Sequence, residues 1–238
     1  MGRLRSVGIR RTGVLAAALT LGVATLLLQP HISAAADGTI IGVITTKEAA
    51  RPPVRATVDP TVCGTSLPDE SITVDGSGHL ANVVVTVTGV KVPAPAETTV
   101  NNEKCRFTPR VSILKPAGLV KVTNKDPNVL HTTHLTAPDG NDVFNIALPI
   151  QNMTISKPIS KRLGVCKIVC ETHTWMRGWL FVTDELSAVS GADGSFRLEN
   201  VPVGTQEVRL WHEALKAAPQ KVAVKDGETV TVNFTLAK

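Results

Sequence analysis

Short runs of alternating residues, separated by Gly, Pro, Asn and Asp, fill the chain from residue 38 onward and constrain its fold most. In residues 81–90 one parity holds Val83, Val85 and Val87, and the other holds Val84, Thr86 and Thr88. Such alternation places successive side chains on opposite faces of a strand. Further runs occur at 38–46, 104–114, 118–124, 153–159, 164–170 and 178–184. Evenly spaced short strands between turn residues predict an all-β protein built as a β-sandwich.

A stretch of small and polar residues at 187–195 interrupts this pattern just after Glu185. Alternation then resumes, and it is strict from Thr229 to Leu236. We therefore predict a main domain over residues 37–185 and a small C-terminal β-sandwich unit over residues 186–238. About 50 residues is marginal for an independent core, so we expect the small unit to pack against the main domain.

The first 36 residues have the three parts of a secretory signal peptide. Arg3, Arg5, Arg10 and Arg11 form a basic region, residues 13–28 form an apolar run of 16 residues, and Ala34 begins a small-residue cleavage site. A membrane anchor is the alternative, but a run of 16 is short for a membrane span. We expect cleavage before Asp37, a periplasmic or secreted protein, and no stable membrane insertion afterwards.

Charge and composition narrow the functional classes. Without residues 1–36 the chain holds 21 basic and 20 acidic residues, and the whole chain has only eight aromatic residues. This near-neutral balance argues against a nucleic-acid partner. The sequence also contains no recognisable nucleophile–base arrangement and no phosphate-binding glycine loop, so we do not expect an enzyme.

Metal-binding side chains concentrate in two segments. Cys170, His173 and Met176 lie within seven residues, directly after a predicted strand, and His131 lies 39 residues before Cys170. A thiolate, two imidazoles and a thioether form the ligand set of a blue-copper site. Soft sulfur ligands favour Cu(I) and imidazoles also suit Cu(II), so a mixed set accommodates both oxidation states.

These segments resemble the plastocyanin/azurin-type cupredoxins, and more closely exported bacterial cupredoxin-like proteins with a C-terminal carboxypeptidase-regulatory-like β unit. The resemblance covers roughly residues 60–235. It rests on the motifs Asn124-x-Asp126-Pro127, Val143-Phe144-Asn145, Cys170-x-x-His173-x-x-Met176, Asp193-Gly194-Ser195-Phe196, Asn200-Val201-Pro202-x-Gly204 and Trp211-His212-Glu213. It implies a Greek-key β-sandwich that holds one copper ion with His131, Cys170, His173 and Met176. It also implies a redox partner such as a c-type cytochrome or a membrane oxidoreductase.

The main functional hypothesis is a monomeric one-electron carrier with a mononuclear type 1 copper site. Electrons would pass through an exposed edge of His173, and Pro127, Leu130, Trp175 and Met176 would form an apolar docking patch. Copper storage or delivery, and a metal-free β-sandwich binding module, are the alternatives. Family loops usually have more residues than Thr174 and Trp175 between the ligand His and the Met, so this loop is a departure.

Cys166 raises a further alternative, a binuclear CuA-like site shared with Cys170. A regular strand over residues 166–170 would hold the two sulfurs about 13 Å apart, which disfavours that site. In an exported protein Cys63 and Cys105 are expected to form a disulfide, with pairings through Cys166 as the competing alternative.

Three polar residues lie around the predicted ligands. If residues 131–135 form a strand, His134 points to the face opposite His131 and does not bind the same ion. Asn124 is expected to hold the His131 loop by turn hydrogen bonds. Asp126 is either a tuning group for the site or a solvated turn residue.

Overall fold

The computed structural model describes Gly2 and residues 37–92, 94–159 and 164–238. From residue 37 onward the described residues belong to one compact unit. The predicted signal peptide lies outside the described residues, apart from Gly2. Within the described part of the chain, no helix is long and apolar enough to cross a membrane.

Nineteen strands and one helical turn make up the described chain, and the predicted all-β sandwich is confirmed. In chain order they are Gly38–Thr46 (β1), Arg51–Arg55 (β2), Pro60–Cys63 (α1), Ser66–Asp69 (β3), Val84–Lys91 (β4), Glu97–Glu103 (β5), Arg106–Thr108 (β6), Val111–Leu114 (β7), Leu119–Asn124 (β8), His131–Thr136 (β9), Asp142–Leu148 (β10), Thr154–Pro158 (β11), Gly164–Val169 (β12), Arg177–Val182 (β13), Glu185–Val189 (β14), Ser195–Val201 (β15), Gly204–Trp211 (β16), Gln220–Val224 (β17), Thr229–Thr231 (β18) and Phe234–Leu236 (β19).

Two sheets form the first sandwich. One has the strand order β10-β9-β12-β13-β7 and the other the order β11-β8-β5-β6. Their inner faces share one core, to which Leu135 and Leu180 contribute from the first sheet and Val100 and Val122 from the second. Strand β12 lies antiparallel to both β9 and β13, so the start of β9 and the end of β12 come together at one end of this sandwich.

A second sandwich pairs the sheet β14-β4-β16-β17 with a sheet in which β1 lies between β15 and β18, and β19 also pairs with β1. Its core combines Ile40 and Val85 from the first half of the chain with Phe196 and Phe234 from the tail. The division of the chain into domains at residue 185 stays a prediction. The second core draws strands from both sides of that position.

The two sandwiches pack against each other through a third apolar cluster, which includes Val84, Phe181, Trp179 and Trp211. The rings of Trp179 and Trp211 meet edge-on with centroids 5.2 Å apart. Alternation explains this stacking, because Val83, Val85 and Val87 enter the second core while Val84 faces the first sandwich. The expectation that the tail packs against the rest of the chain is therefore met.

Residues 51–69 form a segment of their own at the end of the first sandwich where β9 starts. Strands β2 and β3 pair with each other, α1 lies between them, and Ala56, Cys63 and Leu67 insert into the first core. The predicted Cys63–Cys105 disulfide is present, with a Cα–Cα distance of 5.3 Å. We call residues 51–69 the covering segment.

Candidate metal centre

The loop that leads to His131 is held by side-chain bonds to the backbone. The Asn124 amide donates to the carbonyl oxygens of Val129 and Leu148, both at 2.9 Å. Its own oxygen accepts a 2.9 Å bond from the backbone N–H of Asp126. The expected role of Asn124 is confirmed, and it fixes where β9 begins.

The second loop closes tightly after β12. The backbone N–H of Met176 donates to the carbonyl of His173 at 2.8 Å, and that of Cys170 donates to the carbonyl of Met176 at 3.4 Å. This turn brings His173 back over Cys170, whose sulfur accepts a bond from the His173 N–H at 3.4 Å. The Thr132 N–H, which follows His131 on β9, donates to the same sulfur at 3.4 Å.

His131, Cys170 and His173 converge. One ligand atom from each lies within 4.8 Å of the other two, and all three residues are buried. The two imidazole centroids are 4.7 Å apart, and Nδ1 of His173 is 3.5 Å from the Cys170 sulfur. Met176 is buried in the same loop and packs in the first core. The structure thus gathers the segments that hold all four candidate ligands, whose role as ligands stays a prediction.

A carboxylate holds the far nitrogen of each imidazole. Nε2 of His131 is 2.8 Å from Asp126, and Nε2 of His173 is 3.1 Å from Asp59. Asp126 is itself fixed, because it accepts bonds from the backbone N–H groups of Lys104 and Cys105. Such partners set the ring orientation and the tautomer of an imidazole ligand. Both rings therefore keep Nδ1 for the centre of the cluster.

The electrostatics of the cluster favour a thiolate. Burial raises the pKa of the Cys170 thiol, but the neighbouring His131 imidazole, the contact with the His173 ring and bonds from the two backbone N–H groups outweigh this and lower the pKa to about 5. Burial lowers the pKa of His131, while the bond to Asp126 and the neighbouring Cys170 sulfur raise it, and the net direction is upward. Burial raises the pKa of Asp126, but the bonds from His131 and from two backbone N–H groups outweigh it, so this pKa is lowered overall.

One unpaired atom indicates that the cluster fits a metal ion. Nδ1 of His131 is buried and has no hydrogen-bond partner. Buried polar atoms are almost always paired, so an orphan next to a thiolate marks a position for a further group. A soft sulfur anion with two imidazole nitrogens suits copper, and the thioether of Met176 in the same loop suits Cu(I).

The prediction that an edge of His173 is exposed is wrong. Its side chain has 0% exposure, because the covering segment places Asp59 on its outer nitrogen and the Cys63–Cys105 disulfide beside it. Met176 is also buried, whereas Leu130 is 45% exposed. The apolar patch predicted around an exposed His173 is therefore not present in that form.

Cys166 and His134 lie apart from the three-residue cluster. Cys166 faces the first core from β12, and among the described residues it belongs to no group of three potential ligands. Neither Cys166 nor Cys170 is in a disulfide. His134 lies on the opposite face of β9 from His131, as predicted, and contacts Glu171 and Asp142.

Sequence reasoning missed Asp59 and Thr132. Asp59 precedes His173 by 114 residues and adopts a left-handed backbone conformation just before α1. No local sequence motif indicates such a long-range contact, so it could be identified only in the folded structure. Thr132 follows His131 directly on β9, and its backbone N–H and hydroxyl both contact the Cys170 sulfur, which the alternation of side chains along a strand did not predict.

Comparison with known proteins gives structural matches alone. No protein-family model and no curated protein matches the chain. A purple cupredoxin from Nitrosopumilus maritimus matches 36% of this chain and 99% of its own at 21% identity, with a TM-score of 0.31. A reduced Cu(I) form of an amicyanin variant matches 42% of this chain and 98% of its own at 18% identity, with a TM-score of 0.32.

A copper-containing nitrite reductase from Thermus scotoductus SA-01 also matches, at 20% identity and a TM-score of 0.31 over 40% of this chain. This chain spans about a quarter of that enzyme, 24% of its length. Similarities this low do not assign a function.

Proposed function

We propose that this protein is an exported carrier of single electrons that binds one copper ion at His131, Cys170, His173 and Met176. The observation that carries the proposal is the convergence of a low-pKa thiol and two imidazoles, with Nδ1 of His131 left unpaired. Copper would supply the one-electron couple between Cu(I) and Cu(II). A c-type cytochrome or a membrane oxidoreductase would be the partner, and we propose no enzymatic reaction.

The residues of this chain contribute rigidity and exclusion of water. Asp126 and Asp59 fix the two imidazoles, and the backbone N–H groups of Thr132 and His173 point at the thiolate. A site that is already arranged in the protein needs little rearrangement when the charge of the ion changes, which favours fast electron transfer. Burial of all three cluster residues keeps solvent from reorganising around it.

Copper storage is the second candidate, and the covered His173 favours it, because an enclosed ion leaves slowly. A reversible one-electron wave in voltammetry of the copper-loaded protein supports the carrier, and no reversible wave supports storage. A disulfide at Cys170 would have supported the metal-free module, and Cys170 is a free thiol.

The decisive experiment loads copper into the purified protein and compares Cys170→Ser with Cys166→Ser. We expect an intense thiolate-to-copper visible band that Cys170→Ser abolishes and Cys166→Ser keeps, since both thiols are buried but only one joins the cluster. EPR of the same sample separates a mononuclear from a binuclear centre. A colourless copper-loaded protein with Cys170 reduced would contradict the proposal.

A further inference from the structure

The covering segment separates His173 from solvent, so an electron carrier built on this site needs a route for electrons to the surface other than the His173 edge. Asp59 bonds the outer nitrogen of His173, and the sulfurs of Cys63 and Cys105 lie within 4.8 Å of a ring nitrogen of His173. Electron transfer slows steeply as the gap between donor and acceptor widens. A partner that docked over Asp59 and the Cys63–Cys105 disulfide would be held away by this extra layer.

Trp175 offers an aromatic connection on another side of His173. Its ring meets the His173 ring edge-on with centroids 5.2 Å apart, and its Nε1–H donates to the carbonyl of Cys105 at 3.2 Å. The indole is fixed by both contacts and is partly exposed. It therefore reaches from the buried imidazole to the molecular surface.

The surface in front of Trp175 is a recess of about 290 Å³, which we call the arginine recess. Arg51, Arg106, Arg110 and Arg177 line it together with Trp175 and Met176. Among the described residues, Arg51 and Arg177 are exposed and take part in no side-chain ion pair within 4.0 Å.

The carboxylates of the arginine recess are already engaged. Glu213 pairs with Arg110 at 2.7 Å, and Glu70 lies 3.2 Å from Arg106 and 3.7 Å from Arg110. Asp69 accepts a bond from the backbone N–H of Ser71. Because four guanidinium groups face three carboxylates, the surplus charge that a partner meets is positive, and Arg51 and Arg177 are the exposed arginines that present it.

We propose that electrons pass between the candidate metal centre and its partner across the Trp175 ring, and that the partner is a redox protein that docks on the arginine recess with a carboxylate-rich face. Weak, salt-sensitive docking of this kind is typical of electron-transfer encounters. The inference rests on the proposed function and adds the route and the charge of the partner.

The kinetic test oxidises the reduced, copper-loaded protein with ferricyanide, an anion that takes one electron to become ferrocyanide, and with tris(phenanthroline)cobalt(III), a cation. We expect Trp175→Leu to lose most of the rate with both oxidants while its visible band stays, and Trp179→Phe to keep the rate. Arg51→Glu/Arg177→Glu slows ferricyanide about tenfold at low ionic strength and speeds the cobalt complex. The matched control Lys221→Glu/Lys225→Glu, outside the recess, leaves both rates unchanged.

A second readout uses the metal-free protein and its fluorescence. The fluorescence of Trp175 is obtained as the difference between the parent protein and Trp175→Phe. A positive surface should let the anion iodide quench this fluorescence more than the cation caesium does. In Arg51→Glu/Arg177→Glu, caesium should be the stronger quencher. Equal quenching by the two ions would overturn the positive surface in front of Trp175.

The outcomes separate the two proposals. An unchanged oxidation rate in Trp175→Leu, with the visible band and the reversible wave intact, overturns the route alone. If Trp175→Leu does not fold, Arg51→Glu/Arg177→Glu is the deciding variant. If this variant is oxidised by both oxidants at the same rates as the parent protein, the proposed docking surface is overturned. The absence of both band and wave from the parent protein overturns the proposed function itself.

Discussion

At the scale of residues, the geometry of the candidate centre depends on two carboxylates that bond the outer nitrogens of its imidazoles. Asp126 reaches His131 from five residues earlier in the chain, and Asp59 reaches His173 from a distant loop. Each carboxylate turns its imidazole so that Nδ1 faces Cys170. The sequence left Asp126 as either a tuning group or a solvated turn residue, whereas Asp59 could not be predicted at all because nothing in the local sequence links residues 59 and 173.

Replacing Asp126 tests this orienting role. Asp126→Asn should weaken copper binding by about 10- to 100-fold, the usual cost of losing such a partner. Asp142→Asn is the matched control, because Asp142 also bonds an imidazole, that of His134 on the outer face of β9. Competition with a copper chelator measures both affinities. Equal affinities for the two variants would contradict the role of Asp126.

The depressed pKa of Cys170 predicts a pH dependence in the metal-free protein. Its pKa falls from 9.0 to about 5, so its stabilising effect is present above pH 9 and is lost as the pH falls toward 5. His131 acts in the opposite sense, because its pKa is raised above 6.5 and its contribution is lost as the pH rises through that higher value.

The free energy of unfolding should therefore rise between pH 5 and 6.5, where deprotonation of Cys170 and of the buried His212, whose pKa is lowered to about 4, both favour the folded state. Above pH 6.5 the raised pKa values of His131 and His134 oppose the further contribution of Cys170, so Cys170→Ala should show a smaller rise than the parent below that pH. Denaturant unfolding across this range measures it, with Cys170→Ala as the comparison. If the variant shows the same rise as the parent, the thiolate is not its source.

At the scale of elements, alternation was enough to locate many strands and their faces. Residues 38–46 match β1, and residues 164–170 match β12 within one residue. The same rule placed His131 and His134 on opposite faces of β9. The rule failed for the run at 104–114, which the structure divides into β6 and β7. It also missed β2 and β3, because these strands of the covering segment are short, largely exposed and show no alternation.

The disulfide should affect both stability and the site. Closing the 42-residue separation between Cys63 and Cys105 stabilises by about 4 kcal/mol in the chain-entropy model, so Cys63→Ser/Cys105→Ser should lose about that much. Because the bond also holds the covering segment on His173, the variant should release copper to a chelator faster. Cys166→Ser controls for the loss of a buried sulfur, and equal release rates in the two variants would argue against a covering role.

At the scale of the whole molecule, four sheets stack through three apolar clusters, and the middle two sheets are covered on both faces. The centre lies at one end of the first sandwich, and the tail contributes Glu213 to the arginine recess beside it. The sequence predicted a boundary at residue 185 from composition. It could not reveal that β1 and β4, which come early in the chain, pair mainly with strands of the tail.

A chain that ends at residue 185 tests whether the first part folds alone. The strand partners of β1 are β15, β18 and β19, and those of β4 are β14 and β16, so truncation removes or cuts all of them. Ile40, Ile44 and Val85 then lose their core, at about 1.5–3 kcal/mol each. That loss is comparable with the whole stability of a typical domain, about 5–15 kcal/mol. We expect residues 37–185 to be insoluble or to unfold without a cooperative transition, while residues 37–238 fold. A soluble 37–185 chain with cooperative unfolding and a visible band on copper loading would instead establish an autonomous domain that ends at residue 185.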